Sequence, residues 1–457
     1  MGEPATAAAP AAHASEARAL GFWLCLSLSI GTFIGSGIFL LPAQLAPFGW
    51  NALFGWLITI GGGLCLAFVF ARLARALPSA AGPYAFVGEA FGPVPAFAVA
   101  WSYWISTWVG NAAIATAAIS YLSLFAPALT ATPGLGALAT GCLLWSLTLL
   151  NCLSLKAVGR FQLVTVLLKL MPLIVVIALA AFVIGTGRQE TMLPFRAEDI
   201  DLSSINSAAA LTLWAMLGVE AASFASRTVK DPERTVPRAT LVGTFLVGAI
   251  YILVSTPIIL YLPGADVAQS SAPLALFVER YWDPNLALLV GLFAAISAIG
   301  ALNGLTLVQG ELPLAMARNG AFPKWFAKTS PQGTAVRAQI LSTSLASILI
   351  AANASRSVAG LFVFMALLST AATLILYLAC ALAALRLQHR NRIKRSGLLS
   401  LLAALAAVYS IWTLFGAGRE ATMWGAALLA AGIPVYWLMR SSRAAAARLG
   451  ESPESAA

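Results

Sequence analysis

Long apolar runs, separated by short polar or Gly- and Pro-containing connections, recur from residue 20 to residue 440. A run of about 20 apolar residues is enough for a helix to cross roughly 30 Å of hydrocarbon. The pattern predicts twelve spans, near residues 20–45, 51–73, 94–125, 135–155, 160–185, 206–226, 238–263, 283–312, 338–353, 357–385, 398–416 and 422–440. In lipid a single segment satisfies its own backbone polar groups only as a helix. The chain is therefore expected to be an all-α membrane protein, with residues 20–440 forming the membrane domain and residues 1–19 and 441–457 forming tails.

Composition and charge place that domain in the membrane more firmly. Of 457 residues, 60% are hydrophobic and 10% charged, and mean hydropathy is +0.87; soluble domains carry about 25% charged residues. A net charge of +10 would suggest nucleic acid only if the basic residues formed one surface. They are instead scattered among the connections, which argues against such a partner. With the N-terminus inside, 21 of the 27 Lys and Arg residues fall in inner connections and five in outer ones, leaving Lys169 within a span. That asymmetry places both termini in the cytoplasm of a bacterial inner-membrane protein. Residues 1–19 are Ala-rich and lack a basic region leading into a short apolar core, so they read as a cytoplasmic tail and not as a signal peptide. Cys25, Cys65, Cys142, Cys152 and Cys380 lie in apolar segments without a CxxC pair, and His13 and His389 are the only imidazoles. No metal site, disulfide framework or cofactor is expected.

Two spans carry flaws. The first contains Gly31-Thr32-Phe33-Ile34-Gly35-Ser36-Gly37, and each glycine costs about 1 kcal/mol of helix relative to alanine. Close packing of two helices through small residues explains such a stretch equally well when it stands alone. The sixth span, however, holds Trp214-Ala215-Met216-Leu217-Gly218-Val219-Glu220, a glycine beside an ionisable group at membrane depth. Interruptions in the first and sixth spans fit a five-plus-five inverted repeat, residues 20–185 and 206–386, followed by two extra helices over 398–440. In that design the half-helix ends line a midplane site, N-terminal ends meeting anions and C-terminal carbonyls meeting cations. An amino-acid zwitterion presents both charges.

The stretches Gly31–Pro42 (GTFIGSGIFLLP), Pro78–Pro93 (PSAAGPYAFVGEAFGP), Tyr103-Trp104 with Trp108–Asn111, Leu213–Glu220 (LWAMLGVE), Val229–Thr240 (VKDPERTVPRAT) and Asn319–Pro323 (NGAFP) carry a family resemblance. Over essentially its whole length the chain resembles the amino acid, polyamine and organocation transporter superfamily. Within it, the basic amino-acid/polyamine antiporter branch of the arginine/agmatine type is most similar. The resemblance implies a LeuT-type fold and an amino-acid or amine substrate. It implies that Ile34, Gly35, Ser36 and Gly37 cradle the substrate carboxylate, beside Thr32, where those antiporters have asparagine. Trp214 corresponds to an outer cover, Tyr103 and Tyr377 to gate tyrosines, and Asn111 and Ser369 to polar contacts at the distal end of the substrate. Thr107 and Leu217 complete the implied pocket. Members of the branch are typically homodimers, for which the last two helices would supply an interface.

Two positions depart from the arginine/agmatine type. Leu305 stands where an eighth-span tryptophan would stack on a guanidinium, a contact worth about 0.5–2 kcal/mol. Lys169 resembles a fifth-span lysine of proton-coupled permeases and light-chain-type exchangers. An ammonium at that depth must find carbonyls or a carboxylate, or release its proton. Lys169 is thus either a proton-linked group or a charged strut between spans. Glu220 matches a proton-sensing glutamate, the alternative being a neutral carboxyl bonded within the bundle, while Glu311 sits near Arg318 as an expected ion pair. Without a GxxxxGK[ST] motif, or a histidine within a span, neither direct ATP coupling nor an intramembrane enzyme is expected. The chain reads as a secondary amino-acid transporter in contact with the lipid bilayer, first as an antiporter of the arginine/agmatine type with protons as a candidate co-substrate. Proton-coupled transport of neutral amino acids is the second reading, and a transporter-like sensor or channel a remote one.

Overall fold

The computed structural model describes residues 21–35, 37–77, 82–153, 168–189, 192–220, 232–331 and 333–448. Among them every regular element is helical. The first half comprises α1 (Phe22–Phe33), α2 (Gly37–Leu45), α3 (Trp50–Ala76), the short α4 (Pro83–Phe91), α5 (Pro93–Leu122), α6 (Leu135–Leu153) and α7 (Met171–Thr186). The second half comprises α8 (Leu202–Ala215), α9 (Pro232–Tyr261), the short α10 (Gly264–Gln269) and α11 (Pro273–Tyr281), and α12 (Pro284–Arg318). It continues with α13 (Val336–Ala352), α14 (Val358–His389), α15 (Gly397–Gly416), α16 (Gly418–Ala430) and α17 (Gly432–Arg448).

Seven stretches among the described residues are long and apolar enough to cross a membrane: α3, α6, α9, α12, α14, α15 and the run from α16 into α17. The remaining expected spans differ for visible reasons. The first is divided between α1 and α2. The third, α5, is 30 residues long but carries Ser102, Tyr103, Trp104, Ser106, Thr107 and Trp108 at its centre. The fifth and sixth lie partly outside the described residues, and α13 has 17 residues.

Helix ends follow local chemistry. Asp283 accepts from the amides of Asn285 and Leu286, Ser357 from Gly360, and Asp201 from Ser204, each a side-chain cap on an otherwise unpaired first turn. The junction of α4 and α5 is Gly92-Pro93, where Gly92 takes φ +93°, a left-handed value that favours glycine, and proline opens the next helix.

Packing relies on small residues, as expected where lipid gives helices no hydrophobic drive to associate. A Cβ on Gly55 of α3 would stand 2.8 Å from Ala208 Cβ of α8, and one on Gly416 of α15 would stand 2.3 Å from the Asn206 carbonyl oxygen of α8. In the resulting arrangement two groups of helices are joined where α14 packs on α15 and α8. α5 packs chiefly on α14 and α12, while α3 gathers α8, α9 and α15, and α1 lies along α9. α14 is central, with 78% of its membrane-length window buried against 11% for the run through α16 and α17.

Candidate functional site

Helix α1 runs two residues beyond Gly31 and stops at Phe33. Ile34 leaves the helical conformation, and the Gly35 amide turns back to the Phe33 carbonyl at 2.7 Å. That carbonyl also accepts the Tyr251 hydroxyl at 2.8 Å, so the end of α1 is tied to α9. The chain re-enters a helix at Gly37, and the first-turn amides of α2 have no partners within it. The second interruption is similar in kind. α8 ends at Ala215, a tight turn follows through Met216 and Leu217, and Gly218 takes φ +112°, reserved in practice for glycine.

The two breaks touch. A Cβ on Gly37 would lie 3.0 Å from Ala215 Cα and 3.4 Å from Trp214 Cδ1. On the other side of the indole, a Cβ on Gly110 of α5 would lie 3.3 Å from Trp214 Cη2. Two absent side chains thus leave the slot in which Trp214 sits.

Against this slot opens a cavity of about 440 Å³. From the breaks it is lined by Gly35, Gly37, Trp214, Leu217 and Glu220, and from α5, α12 and α14 by Tyr103, Thr107, Asn111, Leu305 and Ser369. Ile34 is fully buried and does not line it; nor do Tyr377 and Lys169, although both are buried. Ser36 and the side chain of Thr32 lie outside the described residues.

The hydroxyls on the cavity wall are oriented by helix carbonyls. Ser106 donates to the Tyr103 carbonyl (2.7 Å), Thr107 to Trp104 (2.7 Å), Thr373 to Ser369 (3.0 Å) and Ser369 to the Ser106 carbonyl across the α5–α14 interface (2.8 Å). What they turn toward remaining partners is lone pairs. Asn111 behaves likewise: its Nδ2 donates to Gln309 Oε1 at 2.7 Å, Gln309 is held by Thr343 at 3.0 Å, and Asn111 Oδ1 is buried with no donor among the described residues. Trp214 Nε1 is a buried donor without an acceptor among the described residues. Glu311, read from the sequence as half of an ion pair, lines the cavity.

Glu220 is clamped. Tyr103 of α5 donates to Oε1 at 2.8 Å and Tyr377 of α14 to Oε2 at 2.7 Å, while the Gly218 amide approaches the Tyr377 oxygen at 3.4 Å. Tyr377 therefore holds the second break to α14 from behind the cavity wall. Sequence reasoning missed Gln309 and the placement of Glu311; polar residues inside the otherwise apolar α12 were the available signal.

The amino acid permease family model matches residues 20–439. The chain belongs to that family. It is 34% identical over 328 residues to the cadaverine/lysine antiporter of Escherichia coli (strain K12), covering 72% of this chain and 73% of that protein. It is 30% identical over 457 residues to the putative arginine/ornithine antiporter of Bacillus subtilis (strain 168), covering 92% and 97%. It is 27% identical over 415 residues to the putrescine transporter PotE of Escherichia coli (strain K12), covering 90% and 94%. These relationships place the permease in the basic amino-acid/polyamine antiporter branch of the amino acid, polyamine and organocation superfamily. It is a multi-pass membrane transporter and not an enzyme.

Proposed function

We propose that this permease exchanges cationic amino acids and their amine counterparts across the inner membrane by alternating access. The observation that carries the reading is the orientation of the cavity wall. Asn111 Oδ1, the Glu311 carboxylate and the lone pairs of Ser106, Thr107, Ser369 and Thr373 present acceptors, which suit a substrate ammonium. The start of α2, from Gly37 onward, offers first-turn amide donors, which suit an α-carboxylate. An amino acid with a basic side chain engages both ends. A diamine, lacking the carboxylate, relies on the acceptor wall together with Glu220.

Arginine exchanged for agmatine is the substrate pair of the type the sequence resembles, and Leu305 withholds the stacking surface that a guanidinium would use. A terminal ammonium needs no such plane, so the lysine and ornithine class with the corresponding diamines fits better. Movement of the unit carrying α1, α2 and α8 against α5, α12 and α14 would open the Glu220 clamp, giving Glu220 its gating and proton-linked role. Lys169, buried just before α7, is the second proton-linked or gating group of this reading. Twelve spans arranged as an inverted repeat, with residues 398–440 forming a homodimer interface, complete the reading.

Counterflow in proteoliposomes tests it. Labelled lysine, ornithine or arginine should exchange with internal cadaverine, putrescine or agmatine without an imposed proton gradient. Gradient-driven alanine uptake without cation exchange would replace this reading by that of a neutral amino-acid permease. Glu311→Gln should raise the KM for a diamine about tenfold, the scale of one hydrogen bond to a charged group, and leave any alanine flux unchanged.

A further inference from the structure

A second cavity, of about 640 Å³, shares no lining residue with the first and lies between the end of α3 and the connection from α14 to α15. Arg72 and Arg75 line it from the last turns of α3, and Arg392, Lys394 and Arg395 from the connection, 317 residues or more further along the chain. Among its described lining residues there is no carboxylate. A charge bias toward one membrane face would be met by basic residues anywhere on these connections. Here two segments remote in sequence instead bring five cations around one concavity.

The connection is built to hold that geometry. The Arg392 amide donates to the Leu387 carbonyl at 2.9 Å, the Ser396 amide donates to Gln388 Oε1 at 2.9 Å, and Asn391 takes φ +54° to make the turn. Ile393 is 7% exposed and anchors the loop in the core between its basic neighbours. Ser396, which also lines the cavity, caps α15, whose 20-residue length directs a helix N-terminus toward the same space. On α3, the Arg72 guanidinium lies over the Phe68 ring, 6.0 Å from its centroid. Arginine forks and a helix N-terminus are the groups that bind phosphate oxygens.

We propose that this cavity is a binding site for a phosphate group, and that the group is carried by an anionic phospholipid. The cavity opens where the membrane-length helices α3, α14 and α15 end or begin, which is headgroup depth. Basic pockets in that position attract anionic headgroups. The site is independent of the substrate reading.

The test uses full-length protein purified in detergent, with thermal unfolding followed after addition of phosphatidylglycerol, phosphatidylcholine or inorganic pyrophosphate. Phosphatidylglycerol is expected to raise the midpoint by several degrees and phosphatidylcholine not to. Arg392→Gln/Arg395→Gln should remove most of the increment, and Arg72→Gln/Arg75→Gln, from the other wall, should do the same. Native mass spectrometry should show a retained phosphatidylglycerol that either double variant loses. Protection by pyrophosphate equal to that by phosphatidylglycerol, and lost in the same variants, would keep the phosphate site but overturn the lipid as its source. No stabilisation by either anion, or equal stabilisation of wild type and variants, would overturn the site. Should a double variant fail to insert, the single substitutions Arg72→Gln and Arg395→Gln carry the same comparison from separate elements.

Discussion

Gly37 and Gly110 shape the cavity through what they lack. Each leaves room for the Trp214 ring, and a side chain at either position would meet it or its neighbour within about the contact limit: 3.0 Å to Ala215 for Gly37, 3.2 Å to Ser369 Oγ for Gly110. Gly37→Val should therefore cut exchange at least tenfold while surface expression and monodispersity stay near wild type, measured by flux in proteoliposomes and by size exclusion. Glu220 is a different kind of residue, since both its oxygens are engaged by tyrosines from two helices. Glu220→Gln presents an N–H₂ to one of those hydroxyls and removes a group able to change charge. The pH dependence of exchange should flatten in this variant, and a profile superimposable on that of wild type would exclude a titrating role for Glu220. The sequence marked Trp214, Asn111 and Glu220 as polar or aromatic groups within apolar runs. It did not show that Tyr377 reaches Glu220 from outside the cavity, because a contact across 157 positions has no local signature.

At the scale of elements, the legible features were those written in neighbouring residues. Glycine and proline at 92–93 and the caps at Asp283 and Ser357 announce helix ends locally. The extent of the first break was less legible: Gly31 tolerates helix, and α1 persists to Phe33, where Tyr251 of α9 takes up the freed carbonyl. Helix pairing through small residues gives a direct test. Gly416→Ala would drive a methyl into the Asn206 backbone carbonyl, which a rotamer change cannot relieve. It should cost about 1–3 kcal/mol, the range for overpacking, and lower the unfolding midpoint by several degrees. Gly61→Ala on α3 has nothing within 4 Å of the new atom and should be neutral or slightly stabilising.

For the whole molecule, hydropathy and charge act together. The excess of Lys and Arg on alternate connections predicts that a C-terminal green fluorescent protein fusion fluoresces and that an alkaline phosphatase fusion at the same position is inactive. A phosphatase fusion in the 187–205 connection should be active. The opposite pattern would invert the orientation of every helix. The same basic residues take on a second meaning in three dimensions, because Arg72 and Arg75 meet Arg392, Lys394 and Arg395 around one cavity.

By itself the sequence determined that this chain lives in lipid, that it is helical, and that its first and sixth apolar runs are weak as helices. These follow from transfer energies and backbone propensities, which act residue by residue. The motif resemblance also pointed to the superfamily and branch that the relatives bear out. Only the tertiary structure decided which groups share a space: that Glu311 lines the cavity, that its hydroxyls present lone pairs because their protons are bound to backbone carbonyls, and that Leu305 stands among them. Hydrogen-bond direction and cavity shape depend on helices packed from distant parts of the chain, and no window of sequence contains them.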